Sequence, residues 1–139
     1  SRRRCGQRRY RAARARVHIS TDVLLDEVFP EYIIIEDGVS LAGRNHILTH
    51  TKPMEYHSSL FESKVELVII KKNAWISIGV TILPGVTLGK NVTVGANAVV
   101  TKSFPDNVVI AGCPAKIIKT INIRCQIYSL LNKMTMKSD

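Results

Sequence analysis

The chain has 139 residues, 45% of them apolar and few aromatic, which suits one domain with a sizeable aliphatic core. Its net charge of +9 invites a nucleic-acid reading, but residues 1–16 hold eight arginines and no acid, while residues 17–139 hold twelve basic and eleven acidic residues. The body is thus nearly neutral, contains no apolar run long enough to span a membrane, and is expected to have neither a nucleic-acid nor a membrane partner.

In chain order, residues 1–16 (SRRRCGQRRYRAARAR) are read as an Arg-rich tail, disordered or a start-site artefact. Such an end can bind RNA or anionic surfaces, but no apolar segment follows it as in a signal peptide. Cys5, Cys113 and Cys125 are odd in number and lack metal-type spacing, so reduced thiols and a cytoplasmic location are expected. Ile19 and Leu25 lie six residues apart, and Ile35, Leu41 and Ile47 resume that step after about four residues inserted around Phe29-Pro30-Glu31-Tyr32. From Ile47 to Ile70 the step is 23, across THTKPMEYHSSLFESKVEL, a segment that carries His50, Glu55, His57 and Glu62. Loops that leave a rigid scaffold are where chemistry tends to sit.

Beyond the loop the period is strict. Ile70, Ile76, Ile82, Leu88, Val94 and Val100 form one column at a spacing of six, and Ala74, Val80, Val86, Val92 and Ala98 form a second. On an α-helix such a column falls on several faces, and in a plain half-buried strand the position between the columns would be apolar, yet Lys72, Lys90 and Lys102 are found there. Each unit therefore reads as a short extended piece and a turn, with Gly79, Gly85, Gly89 and Gly95 supplying backbone freedom. Stacked units of this kind make a parallel β-helix. The last segment, TINIRCQIYSLLNKM, places Ile123, Ile127, Leu130 and Leu131 at helical spacing, so residues 121–139 are expected to be a helical extension that packs on the coil or on a neighbour.

The six-residue units, closing in AVVTKSFPDNVVIAGCPAKIIK, resemble the hexapeptide-repeat acyltransferases, closest to the maltose and galactoside type of sugar O-acetyltransferase. The resemblance covers residues 17–120, and is more specific in its C-terminal half. It implies an all-β, left-handed parallel β-helix with a loop insertion; the handedness comes from the resemblance, because parallel crossovers are ordinarily right-handed. It also implies transfer of an acetyl group from acetyl-CoA to a hydroxyl of a sugar or similar small acceptor by a homotrimer, with no metal.

The site residues follow from the same resemblance. His50, in ILTHTKP and 25 residues before Trp75, matches the catalytic base, and an imidazole suits proton removal from an attacking hydroxyl. His57 and His46 are the fallbacks. Trp75, Ile78, Ala96, Thr101, Lys102, Lys116 and Lys119 match coenzyme-binding positions, with the backbone of Ile78 and Ala96 meeting the pantetheine amides and the lysines meeting phosphates. Asp26, with Glu31 nearby, falls where the acceptor is oriented. Trp75-Ile76-Ser77-Ile78 ends without the small polar residue of many relatives, so the oxyanion donor would be a backbone N–H. Cys113 is expected to be a buried small residue rather than a nucleophile. Two other readings compete: a non-enzymatic hexapeptide scaffold, and a zinc enzyme like the γ-class carbonic anhydrases built on His18, His46, His50 and His57.

Overall fold

The computed structural model describes residues 11, 12 and 16–136, so most of the Arg-rich segment lies outside the described residues. Its strands are short because each six-residue unit has room for little more than a pair of extended residues before the next turn. β1 (Arg11–Ala12) precedes the first full coil, which consists of β2 (His18–Ile19), β3 (Leu24–Leu25) and β4 (Ile33–Ile35). The second opens with β5 (Ser40–Leu41) and β6 (His46–Ile47), leaves through β7 (His50–Thr51) and β8 (Lys64–Val65), and closes with β9 (Val68–Ile70). β10 (Trp75–Ile76), β11 (Thr81–Ile82) and β12 (Thr87–Leu88) make the third. β13 (Thr93–Val94) and β14 (Val99–Val100) begin the fourth, in which Phe104 bridges to Leu88 in place of a full strand. β15 (Val108–Ala111) then turns back as β16 (Lys116–Thr120), followed by α1 (Ile123–Met136).

Successive strands enter three sheets in rotation. Sheet A is ordered β1-β4-β9-β12, sheet B β16-β15-β13-β10-β5-β2, and sheet C β14-β11-β6-β3. Pairing within them is parallel except for β15 with β16, and the registers keep like repeat positions side by side: Ile76 opposite Leu41 and Val94, Ile82 opposite Ile47 and Val100, and Leu88 opposite Ile70. A chain that visits three parallel sheets in turn is a three-sided coil, with an A-to-B, a B-to-C and a C-to-A corner in each turn.

Both sequence columns point inward: every member from Ile70 to Val100 and from Ala74 to Ala98 is at most 1% exposed. Fully burying each Ile or Leu contributes roughly 1.5–3 kcal/mol, so these stacked ladders form the core. Ile35, Leu41 and Ile47 extend it, while Ile19 and Leu25 pack against it only partly buried.

The corners differ from expectation in one respect. Gly79 and Gly85 do adopt positive φ, at 71° and 81°, but Gly89 and Gly95 do not. Asn73, Asn91 and Asn97 share the left-handed turn position instead, with φ near +60°. Asparagine tolerates that region better than most residues, and Asn91 also reaches the following coil by donating to Asn107 Oδ1 at 2.8 Å. Gly95 is small for another reason, since a Cβ there would lie 2.8 Å from that of Ala111 on the next coil.

The C-terminal helix is present, with Asn122 Oδ1 accepting the Arg124 N–H at 3.1 Å as a cap. Leu130 and Leu131 are exposed at 60% and 56% in the single chain; the Ile123 and Ile127 side chains lie outside the described residues. Among the described residues no helix is long and apolar enough to cross a membrane.

Candidate active site

Both irregularities in the repeat fall at the same corner. The Phe29-Pro30-Glu31-Tyr32 insertion lies between β3 and β4, and the long loop between β6 and β9, so each occupies the C-to-A corner of consecutive coils. Because β3 and β6 pair with Leu25 opposite Ile47, Asp26 emerges beside Thr49 and His50 although 24 residues separate it from the histidine.

The insertion shapes Asp26 into an acceptor. Its Oδ1 receives the backbone N–H of Val28 at 2.9 Å and of Phe29 at 3.2 Å, closing a tight turn. Its Oδ2 receives the Thr49 N–H at 2.9 Å and lies 2.6 Å from His50 Nδ1. Thr49, fully buried, donates its hydroxyl to the Phe29 carbonyl at 3.2 Å, tying the two segments together. Burial by itself raises the Asp26 carboxyl, but the Thr49 N–H, His50 and the Phe29 and Val28 N–H groups outweigh it and hold the group well below the usual carboxylate range.

An ionised carboxylate only accepts, so the ring hydrogen of neutral His50 belongs on Nδ1 and the lone pair on Nε2. The Phe29 ring packs edge-on to the imidazole with centroids 5.6 Å apart, a second restraint on its plane. His50 keeps 27% of its side chain exposed, against 1% for Asp26. It opens into a cavity of about 420 Å³ whose apolar wall is Val28, Phe29 and Val65. Lys52, Ser63 and Lys64, from the β7–β8 excursion, line the rest together with Thr51.

Asp26, expected to orient the acceptor, is almost wholly buried, bonded through both oxygens, and faces His50. The pairing was invisible in sequence because it depends on two insertions sharing one corner. Phe29 and Thr49 were missed for the same reason, their only trace being the break in period at FPEY and adjacency to His50.

The other histidines lie apart. His18 and His46 are exposed on the outer faces of sheets B and C, and His57 sits in the loop with its ring 5.2 Å from that of Tyr56. Among the described residues no three of His, Cys, Asp and Glu come together as metal ligands.

The residues matched to coenzyme binding fall into groups. Ile78 and Ala96 stack at the B-to-C corner, where the Ile78 carbonyl already accepts the Asn97 N–H at 2.9 Å. Trp75 is 55% exposed on the outer face of sheet B. Thr101 and Lys102 lie exposed at the C-to-A corner, with the Lys102 ammonium 5.6 Å from the Phe104 ring centroid. Lys116 and Lys119 are exposed on β16. Cys113 is exposed in the turn before β16, not buried as expected.

Residues 68–102 match the family model described as bacterial transferase hexapeptide (six repeats), the part of the chain where the period is strictest. A Dictyostelium discoideum protein provisionally named an acetyltransferase is 55% identical over 97 residues, 68% of this chain and 50% of that one. The galactoside O-acetyltransferase of Escherichia coli K12 is 35% identical over 96 residues, 69% of this chain and 45% of that enzyme. Among solved structures, a hexapeptide-repeat acetyltransferase of Vibrio cholerae complexed with acetyl-CoA is 28% identical with a TM-score of 0.63, over 78% of this chain and 61% of that one. The chain spans about half the length of the relatives it matches. The likeness to the hexapeptide-repeat acetyltransferases read from the sequence is present in all three comparisons.

Proposed function

We propose that this chain, carrying the six-residue transferase repeat, is the left-handed β-helix of an acetyl-CoA-dependent O-acetyltransferase acting on a hydroxyl of a sugar or similar small acceptor. The observation that carries the reading is the 2.6 Å contact between His50 Nδ1 and buried Asp26 at the mouth of a cavity. It leaves Nε2 as a base facing the space an acceptor would fill.

In the reaction, the acceptor O–H gives its proton to Nε2 as the oxygen attacks the thioester carbonyl. The positive charge this creates on the ring develops beside the Asp26 carboxylate, while a backbone N–H meets the oxyanion. The tetrahedral intermediate collapses with cleavage of the C–S bond, and the leaving thiolate of coenzyme A takes the proton back from His50. No acyl-enzyme is required, since the histidine is paired with a carboxylate rather than with a serine or cysteine nucleophile.

Acetyl-CoA is the co-substrate, held by Trp75, Ile78, Ala96, Thr101, Lys102, Lys116 and Lys119. His50 and the Ile78–Ala96 pair occupy different corners of the coil, which supports a homotrimer whose site is completed by a neighbouring copy. The test is release of coenzyme A thiol from acetyl-CoA with a panel of hydroxyl acceptors. His50→Ala is expected to slow turnover by about 10²–10⁴-fold. Undiminished release by a folded His50→Ala protein would overturn the assignment, and no release by the parent protein with any acceptor would favour a scaffold.

A further inference from the structure

The His50 cavity has an unequal charge lining. Lys52 and Lys64 both border it, no acidic residue lines it, and among the described residues neither lysine is paired with a carboxylate. Of the nearby acids, Asp26 lies under His50 with both oxygens bonded, the Glu66 carboxylate packs against Gly85 on the following coil, and Glu27, Glu31, Glu55 and Glu62 are exposed outside the lining. Both lysines are exposed, so the cavity rim presents positive charge beside an apolar wall with no carboxylate in the lining to offset it.

The spacing adds a position. His50 and Lys52 are two residues apart on an extended segment whose neighbours pair as His50 with Val65 and Thr51 with Lys64. Alternate residues of a strand face one way, so the imidazole and the Lys52 stem rise from the same side about 7 Å apart. Ser63, one step before Lys64, adds a hydroxyl to the same rim. We propose that the acceptor carries an anionic group, a phosphate or a carboxylate, about one sugar ring away from the hydroxyl to be acylated, and that Lys52, on the His50 side, holds it, while Lys64, turned with Thr51 to the other face, adds positive charge at the rim and Val28, Phe29 and Val65 cover its apolar face. This rests on the reading of His50 as the base for an acceptor in the cavity.

Binding, read without acetyl-CoA, tests it. The full chain is titrated by calorimetry with a hexose, its 6-phosphate and the corresponding hexuronic acid, at low and at physiological salt. At least one anionic member should bind about three- to tenfold more tightly than the neutral hexose, with the advantage shrinking as salt rises. Preference for the phosphate alone or the uronic acid alone identifies the anion, and either supports the proposal. In the Lys52→Ala, Lys64→Ala double variant the anionic-to-neutral ratio should fall towards one, while Lys90→Ala, at the A-to-B corner, should keep it. Equal affinity for all three sugars, including none detectable, overturns the proposal, as does a preference that survives the double substitution. An anionic preference that the double substitution removes, found without any thiol release, would keep the anion site and overturn the reading of His50 as the base.

Discussion

At the residue scale, Asp26 shows how much one carboxylate can organise. Three backbone N–H groups and an imidazole converge on it, so it orients the proposed base and also ties the insertion to the loop. Asp26→Asn keeps the size but removes the charge and the purely accepting character, so turnover is expected to fall by about 10²-fold or more with the apparent KM for acetyl-CoA little changed. Steady-state kinetics on the two proteins checks this. The depressed folded-state pKa also has a sign. Stability from this group is complete above the unfolded carboxyl value of about 3.9 and is lost as pH falls through the lower folded value. Denaturant midpoints between pH 5 and pH 2 should therefore decline in the parent and decline less in Asp26→Asn. His50 is a candidate from its residue type and its distance to Trp75. Its partner was not legible, because nothing in the local sequence distinguishes Asp26 from a solvated acid beside a turn.

At the element scale, each unit is a two-residue strand and a corner, and each part has its own physical demand. The strand demands an inward aliphatic, and Ile82→Ala should cost about 2–5 kcal/mol in denaturant unfolding because its neighbours on adjacent coils, Ile47 and Val100, cannot collapse far into the gap. The corner demands a left-handed residue, and Asn97→Ala, at φ 58°, should cost about 1–2 kcal/mol. The repeat columns were readable because they follow the period without exception. The corner chemistry was only half readable, since asparagine and glycine meet the same requirement and only glycine announces it.

At the scale of the whole molecule, the coil separates the proposed base from part of the proposed coenzyme set by placing them at different corners. If neighbouring copies complete the site, mixing His50→Ala chains with chains disabled at Lys116 and Lys119, on β16, should restore a fraction of the activity that neither has alone. No recovery after verified subunit exchange would favour a site built within one chain. Exposed apolar residues on β16, Ile117 and Ile118, and on α1, Leu130 and Met134, are available for the same association. Sedimentation equilibrium gives the assembly number directly.

By itself, the sequence determined the coil. A six-residue repeat of buried aliphatics permits little else, because burying both columns at once requires a short strand and a turn in every unit. Tertiary structure decided the site. Whether Asp26 meets solvent, acceptor or histidine depends on which corner each insertion occupies and on the register of β3 with β6. Register across a coil is a property of the wound chain, set by packing of the whole ladder, and no short window of residues contains it.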